Sequence, residues 1–501
     1  MKSQWFRVAT PALVGLLVFA QGSPVAAQAE KKTPAKPAAR PKFMELVVTP
    51  ASEPIPAFRY SLLPSSARLN PGDAAPIYLR LRYDLRDEAW DRVMERSQAW
   101  LDVPVAELPL VEARAILKPF EKQFDLLAIG ARRSTCEWSY PLDEQRLKAI
   151  DLQLSDVNIL RDWGRMLALK ARVEIAEGHF EDAAKILETG FAFGRQVGAG
   201  PFLINGLVGV AIESAMLDRV EDWVATPGSP NLYWALTLLP RPLLSLREAV
   251  EQERLLLENL IPELADVDAP RPPAAWSILL ESMYGRMRLL THRFAPQPNP
   301  SYGPVDPLIK SIDVDLVSYK KANLAAFREQ LTNSRIFPAG QVEAMSDDEI
   351  AARGVALGYR TLWDEIFKSA YLSHRQAGEL EAAREKRVYE AKNGPFALFA
   401  ALYPNLSAGR NAEARLDRRV ALLRTIEAIR LYAASHDGKL PDSLDAIHEP
   451  PIPIDPVTGR AFALEIDGDV TTLVPPPAPE MFLPDYKITI RRDDPKASPS
   501  R

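Results

Sequence analysis

The chain has 501 residues, of which 47% are apolar and 25% charged, which is enough for a substantial folded core. Its formal net charge of −5 excludes nucleic-acid binding through bulk positive charge. The single cysteine excludes an intrachain disulfide, so packing alone must hold the fold.

The first 29 residues have the three parts of a secretory signal. A basic region with Lys2 and Arg7 precedes an apolar run from Val8 to Ala20, and Ala27-Gln28-Ala29 supplies a small-x-small cleavage site. The run has 13 residues, whereas a bilayer span takes about 20. We therefore expect export, to the periplasm or the exterior, with cleavage after Ala29. A retained membrane anchor is the alternative.

Residues 30–42 are rich in Pro, Ala and Lys and contain no large apolar side chain, so they predict a disordered linker. The sequence from Phe43 to Thr49 then predicts a short strand or extended segment. Two long helices follow, from Asp73 to Leu101 and from Leu110 to Ala131, and Pro119 is expected to kink the second.

The stretch from Trp163 to Val224 predicts three apolar helices and the packing centre of the chain. Ala176, Gly178, Phe180 and Ala183 form the pattern Ala-x-Gly-x-aromatic-x-x-Ala, which resembles the turn of a tetratricopeptide helical hairpin. No further copy recurs at a period near 34 residues, so the resemblance implies one hairpin in an irregular helical body.

Two Ser-x-x-Glu patterns beyond this centre predict helix starts, since the serine and glutamate of a capping box satisfy amide groups of the first turn. The first, at Ser245, opens a helix to about Leu264. The second, at Ser346, opens a helix to about Lys392. The five prolines between Phe294 and Pro307 indicate a linker or exposed loop.

The carboxy-terminal third begins with an amphipathic helix whose apolar stripe is Leu422, Ile426, Ile429 and Ala433. His436-Asp437-Gly438-Lys439 ends the helix, and a hairpin from Ala461 to Val474 and a strand from Tyr486 to Arg491 follow.

This order of parts, with Asp-Gly-Lys-Leu-Pro and Asp-Pro-Val-Thr-Gly-Arg between helix and hairpin, resembles the globular half of type II secretion pseudopilins. Pseudopilins carry an apolar amino-terminal helix where this chain has Arg418-Arg419, so the resemblance implies a pilin-like fold without filament assembly. The whole chain also resembles large exported bacterial proteins whose family implies no activity.

The predicted fold class is therefore mainly α, an irregular, tetratricopeptide-like helical body with a small α/β carboxy-terminal domain. The predicted divisions are a signal peptide at 1–29, a linker at 30–42, a helical domain at 43–405, a pilin-like helix with a small antiparallel sheet at 406–492, and a disordered tail at 493–501.

The candidate metal ligands are Asp455, Asp467 and Asp469, since some pseudopilins hold Ca²⁺ near this loop. Calcium takes six to eight oxygens, so three acids fall short, and turn chemistry explains them more simply. No cofactor and no catalytic residue are predicted.

Four further features receive structural interpretations. Gly190, Gly194, Gly198 and Gly200 lack the Lys-Ser/Thr of a phosphate loop and predict close helix packing. Cys136 follows two arginines that could lower its thiol pKa, although a half-buried loop position is the simpler interpretation. No two histidines have zinc-site spacing.

The carboxy-terminal helix also carries several cations, which predict a solvated face or a surface for an acidic partner or anionic envelope: Arg410, Arg415, Arg418, Arg419, Arg424 and Arg430.

The leading hypothesis is an exported, non-catalytic scaffold that binds an envelope protein, because stacked helical hairpins expose concave faces. Two alternatives stay open. One is a hydrolase with acids in a cleft between helices, and the other is an accessory component of a secretion apparatus.

Overall fold

The computed structural model describes residues 43–82, 87–139, 147–294, 314–338, 340–392, 395, 406–467, 470–478 and 485–490. Within these residues the protein is mainly helical, with a small sheet near its carboxy terminus, as the sequence predicts. The predicted signal peptide, linker and tail lie outside the described residues. One compact unit contains the described parts of 43–139, 155–249 and 411–490, and a second contains those of 147–154 and 250–410.

The first unit contains most of the predicted packing centre. Its helices are α1 (Ala75–Leu79), α2 (Asp87–Leu101), α3 (Leu110–Leu117), α4 (Glu121–Ala131), α5 (Leu147–Ala176), α6 (Phe180–Gly198), α7 (Leu203–Ala225) and α8 (Tyr233–Thr237), with α5 beginning in the other unit. Trp163 of α5 is fully buried among Trp90, Phe120 and Phe124, at ring centroid distances of 4.9, 5.8 and 6.1 Å. These aromatic contacts join α2, α4 and α5 in one core.

Two predicted helices of this unit are interrupted. The first begins at Ala75 rather than Asp73 and passes into a 3-10 turn at Arg80–Arg82 before α2 starts at Asp87. The second is broken at Lys118–Phe120, which contains Pro119 and confirms the predicted kink. A proline within a helix removes one backbone hydrogen bond and clashes with the preceding turn, so the chain continues as the separate helix α4.

The predicted hairpin turn between α5 and α6 is present. Gly178 has φ +74°, a left-handed conformation that glycine adopts without a side-chain penalty. The Gly178 amide donates to the Ile175 carbonyl and the His179 amide to the Glu174 carbonyl, which closes the end of α5. The tetratricopeptide assignment of this hairpin stays a prediction.

The glycines of α6 and α7 bring these two helices close together, as predicted. A Cβ atom on Gly190 would lie 2.1 Å from Met216 Sδ, and one on Gly194 would lie 2.8 Å from Glu213 Cγ. Gly209 of α7 faces Gly198 of α6, and its hypothetical Cβ would lie 2.7 Å from the Gly198 Cα. The close approach of α6 and α7 therefore depends on glycine residues, which have no side chain, on both helices.

The carboxy-terminal part of the first unit has helix α16 (Leu406–Ser435, from residue 411 onward) and strands β4 (Ala463–Asp467), β5 (Val470–Val474) and β6 (Asp485–Ile490). Asp437 and Gly438, with φ of 52° and 73°, end α16, and the Gly438 amide donates to the Ala433 carbonyl at 2.8 Å. The predicted hairpin and last strand are confirmed.

The sheet near the carboxy terminus includes one strand from the start of the described chain. The sequence predicted this strand but indicated no partner for it. The strand order of the sheet is β1-β6-β5-β4, where β1 is Phe43–Val48, and β1 runs parallel to β6 from Phe43↔Asp485 to Val48↔Ile490. The other two pairs are antiparallel. The strand pairs within the predicted range 406–492 are thus antiparallel, whereas the parallel pairing of β1 with β6 was not predicted. A small parallel pair joins β2 (Asn70–Asp73) and β3 (Arg133–Thr135).

The second unit is helical in its described residues. It comprises α9 (Arg247–Leu260, from residue 250 onward), α10 (Glu263–Asp266), α11 (Pro273–Phe294), α12 (Leu316–Ser334), α13 (Gln341–Ala344), α14 (Asp347–Phe367) and α15 (His374–Lys392). Gly354 of α14 lies against Phe327 of α12, where a Cβ would come within 2.5 Å of the Phe327 Cβ.

The two predicted capping boxes mark helix starts in different ways. Ser346 caps α14, its hydroxyl accepting from the Glu349 amide at 3.2 Å. Ser245 lies two residues before α9 and accepts from the Arg247 amide at 3.3 Å. The predicted helix from Ser346 to Lys392 is divided, because Ser373 and Gln376 form a capping box of their own that starts α15. Among the described helices, none is both long and apolar enough to cross a bilayer.

Substituting Gly209 with alanine should destabilise the protein, because the new Cβ would meet the Gly194 carbonyl oxygen, the Gly198 Cα and Leu244 Cδ1, all at 2.7 Å. Overpacking of this kind costs roughly 1 to 3 kcal/mol. Thermal unfolding followed by circular dichroism measures the change.

The matched control is Gly285→Ala in α11, where nothing lies within 4 Å of the added Cβ. Removing the flexibility of a helical glycine should stabilise the protein by about 0.5 to 1 kcal/mol. Equal and favourable effects of the two substitutions would contradict the close packing of α6 on α7.

Candidate functional site

The arginines of α16 are not the solvated face that the sequence predicted. Arg418 and Arg430 are 1% and 0% exposed, Arg424 is also buried, and residues 420–430 are buried on every side of the helix. A buried guanidinium is stable only if its donors are hydrogen-bonded and its charge is compensated. The contacts of these arginines therefore describe the centre of the unit rather than a basic surface.

Arg430 connects three segments that are distant in the sequence. Its Nε donates to the Thr49 carbonyl at 2.9 Å, directly after β1, and its Nη2 donates to the carbonyl and hydroxyl of Ser229 at 2.8 and 2.9 Å. Its Nη1 pairs with both carboxylate oxygens of Glu427, one turn earlier, at 3.1 and 3.0 Å. Every nitrogen of the guanidinium thus has a partner.

Arg424 lies one and a half turns away and faces α8. Its Nε donates to the Thr237 hydroxyl at 2.9 Å and its Nη2 to the Tyr233 hydroxyl at 3.1 Å, with the guanidinium 5.2 Å from the Tyr233 ring centroid. Tyr233 in turn donates to the Pro451 carbonyl. These bonds attach α8 and the segment before Asp455 to α16.

Asp455, the first predicted metal candidate, is fully buried and engaged with protein. Its Oδ2 accepts from Arg418 Nε at 2.7 Å, and its Oδ1 accepts from the Val457 and Thr458 amides at 2.9 and 3.0 Å. Arg418 Nη2 also donates to the Pro476 carbonyl at 2.7 Å. Asp455 therefore stabilises the turn and compensates a buried cation.

The other two predicted metal candidates are not brought to Asp455 by any described contact. The Asp467 backbone ends β4 and pairs with Val470, but its side chain lies outside what the structure describes. Asp469 also lies outside the described residues. A calcium site made by the three acids stays a prediction that the Asp455 contacts do not favour.

Arg419 joins α16 to α7 through two carboxylates. Its Nη2 lies 2.6 Å from Asp218 Oδ1 and 2.8 Å from Glu221 Oε1, and the buried Tyr486 hydroxyl of β6 donates to the same Glu221 oxygen at 2.8 Å. Burial and the Glu221 carboxylate raise the pKa of Tyr486, so its hydroxyl stays protonated and remains a donor. The sheet, α16 and α7 thus share one polar network.

A cavity of about 230 Å³ lies between α2, α5 and α7. Its polar lining comprises Gln98, Asp102, Arg161, Arg165, Asp218 and Arg219. Its apolar lining includes small side chains such as Ala168, Ala211 and Ala215. The sequence did not indicate this site. Its arginines and aspartates come from three separate parts of the chain, and their spacing matches no known sequence motif.

Most of the charges around the cavity are already paired. Arg165 lies 2.9 Å from Asp162, and Arg219 lies 2.9 Å from Asp222. Burial raises the pKa of Asp222 to about 6, although Arg219 and Arg172 oppose the shift. Asp222 therefore changes charge within the mildly acidic range.

A buried acid, Glu213, and a half-buried acid, Asp417, lie near one another at the contact of α7 and α16. Glu213 is fully buried, and neither carboxyl oxygen has a hydrogen-bond partner among the described residues. Burial raises the pKa of Glu213 well above its usual range, and the neighbouring Asp417 carboxyl adds to the rise. Burial raises the pKa of Asp417 to about 6, although its Oδ1 accepts from the Leu243 amide at 2.7 Å. Neither residue lines the cavity described above.

A surface cluster at the hairpin turn contains Glu174, Glu177 and His179, whose ligand atoms lie within 4.8 Å of one another. Arg114 of α3 donates to both glutamates, and His179 Nδ1 lies 3.0 Å from Glu174 Oε2. The arginine therefore occupies the position from which a metal ion would compensate these acids. The cluster attaches α3 to the turn.

Cys136 has a raised thiol pKa, opposite to the effect that its two neighbouring arginines suggested. Burial is the main cause and the nearby Asp73 carboxylate adds to it. The thiol therefore stays protonated and is a poor nucleophile, in keeping with the structural interpretation of this loop residue.

No family model, curated protein or solved structure matches the chain.

Removing the buried carboxylate in Asp455→Ala should strongly destabilise the protein, because Arg418 would keep a buried charge without its partner. Breaking a buried pair in this way costs about 3 to 5 kcal/mol. Urea denaturation of the full chain measures the difference from wild type.

Asp182→Ala is the matched control, since Asp182 and Lys185 form a pair at 2.8 Å whose side chains are both more than half exposed. Loss of such a surface pair costs about 0 to 1 kcal/mol. If Asp455→Ala were as mild as this control, Asp455 would not hold Arg418 in the way described.

Proposed function

We propose that the chain is an exported, non-catalytic scaffold of the cell envelope that acts by binding another protein. The observation that carries the proposal is a group of apolar side chains in the first unit, called here the Trp234 patch, in which Trp234 is half-buried and Ile55, Phe58, Leu238 and Ile454 are exposed. Contiguous exposed apolar side chains on a folded protein are typical of interaction sites.

The Trp234 patch is held together by contacts among three segments. Phe58 and Trp234 have ring centroids 6.0 Å apart in an edge-to-face arrangement, and Trp234 Nε1 donates to Glu53 at 2.6 Å. Leu238 lies one turn after Trp234, and its amide donates to the Trp234 carbonyl at 3.0 Å. Ile454 follows Pro451, whose carbonyl accepts from Tyr233.

These side chains remain open to solvent although their backbones are fixed. Ile55 is 90% exposed, Phe58 62%, Ile454 60% and Leu238 54%. Burying apolar surface yields roughly 25 cal/mol per Å², and a prepositioned surface loses little conformational entropy on binding. A partner that presents aliphatic or aromatic side chains therefore fits this surface. Because the buried arginines of α16 leave little basic surface on that helix, we do not propose an acidic binding partner.

The hydrolase alternative needs acids that line a cleft in environments suited to proton transfer. Asp102 and Asp218 line the cavity, but Asp102 is exposed, and Asp218 is half-buried and paired with Arg419. Glu213 is buried and Asp417 is half-buried, but they lie in a packed helix contact rather than in that cavity. A role as an accessory to a secretion apparatus rests on the pseudopilin resemblance alone. Export and a non-catalytic role therefore remain our preferred function.

Site-specific photo-crosslinking in cells tests the proposal. A benzophenone amino acid at Ile55 should give a discrete adduct with a second protein in the envelope fraction, because Ile55 is 90% exposed and lies three residues before Phe58 of the Trp234 patch. The same amino acid at Val111 of α3, which is 80% exposed outside the Trp234 patch, is the matched control and should give no such adduct.

A second substitution, Phe58→Glu, should abolish the Ile55 adduct by placing a charge in the apolar contact. Identical adducts from Ile55 and Val111, or an Ile55 adduct that survives Phe58→Glu, would contradict a specific contact at the Trp234 patch. An adduct of twice the chain mass would identify a second copy and contradict the proposed partner.

A further inference from the structure

The cavity between α2, α5 and α7 has one cation that forms no direct ion pair with a described residue. Arg161 lines this cavity, and its guanidinium forms no hydrogen bond or ion pair with a residue that the structure describes. Its Nε is buried, and its neighbours Arg165 and Asp162 are paired with each other at 2.9 Å. Burial and the Arg165 charge lower the pKa of Arg161, and the neighbouring Asp162 carboxylate opposes this shift only in part.

The same cavity has one anion that forms no direct ion pair with a described residue. Asp102 follows the last residue of α2 and is exposed, and no ion pair joins it to a described residue. The nearby Arg172 donates instead to the carbonyls of Trp100 and Val103 on either side of Asp102, and forms its ion pair with Asp222. The second acid of the lining, Asp218, is neutralised by Arg419 at 2.6 Å.

The remaining wall is small and apolar. Ala211, Ile212 and Ala215 of α7 line the cavity, and Gly164 of α5 allows the two helices to approach, since a Cβ there would lie 2.6 Å from Ile212 Cγ1. A volume of about 230 Å³ exceeds the roughly 30 Å³ that one liquid water occupies, so it accommodates one small organic molecule. Drug-sized ligands need larger sites, of about 300 to 1,000 Å³.

We propose that this cavity binds a small zwitterion, of the class of free α-amino acids with a short apolar side chain. The ligand carboxylate pairs with Arg161, whose planar guanidinium suits two-point contact with a carboxylate. The ligand ammonium pairs with Asp102. The ligand side chain packs against Ala211, Ile212 and Ala215. Each charge that the protein leaves without a direct ion pair thereby gains a partner.

Isothermal titration of the full chain with L-valine tests this site. Three compounds serve as comparison probes. Isobutyrate carries only the negative charge, isobutylamine carries only the positive charge, and inorganic phosphate is a different anion. L-Valine should bind with the highest affinity, because only it satisfies Arg161 and Asp102 together. Arg161→Gln and Asp102→Asn should each weaken L-valine binding by about tenfold or more, as expected when a charged hydrogen bond is lost.

Arg92→Gln is the matched control, since Arg92 is an exposed arginine of α2 that does not line the cavity, and it should leave binding unchanged. Ala215→Leu fills the apolar wall and should abolish binding while the protein keeps its circular dichroism spectrum. The proposal is overturned if L-valine gives no saturable heat at millimolar concentration. It is also overturned if isobutyrate or phosphate binds as tightly as L-valine, or if Arg161→Gln behaves like Arg92→Gln.

Discussion

The first unit depends on the burial of guanidinium groups along α16. Removing such a charge from water costs several kcal/mol, and the fold tolerates it only where partners meet every nitrogen. Arg430 requires the Thr49 carbonyl, Ser229 and Glu427 at fixed positions, and Arg418 requires Asp455 and the Pro476 carbonyl. The end of β1, the turn after α7 and the segment before the hairpin are therefore all placed by one helix. Polar contacts supply this specificity, while the aromatic core around Trp163 contributes apolar burial.

This arrangement determines which surfaces are free to act. Since α16 is enclosed, its charges hold the protein together and do not form a docking face. The exposed apolar side chains of the Trp234 patch and the incompletely paired charges of the cavity remain. They lie in the same unit, and Asp218 of the cavity lining belongs to the network that Arg419 makes with Tyr486 of the sheet. Ligand binding beside Asp218 would thus act on residues that also hold α7 to α16.

The sequence predicted the local features well, because those depend on neighbours. Gly178 at the hairpin turn, Pro119 at the helix break, Ser346 at a helix start and Gly438 at a helix end each follow from the conformations that these residues favour. It could not predict which strand pairs with β6, since the β1 partner comes from the far end of the chain and no local pattern selects it. For the same reason, it placed Arg418, Arg424 and Arg430 on a solvated face. A helical wheel separates apolar from charged positions, but only tertiary contacts reveal that carbonyls and carboxylates surround the charged side.

Native-state hydrogen exchange, read by mass spectrometry on peptides covering 420–430, tests the enclosed position of α16 most directly. Amides in a buried, fully packed helix exchange only through large-scale unfolding. The account predicts that these amides are as slowly exchanging as those of Leu203–Ala225 in α7, whose residues form the centre of the same unit. Exchange as fast as in the exposed turn around Gly178 would contradict the burial of residues 420–430. It would indicate instead that α16 is a solvated basic helix.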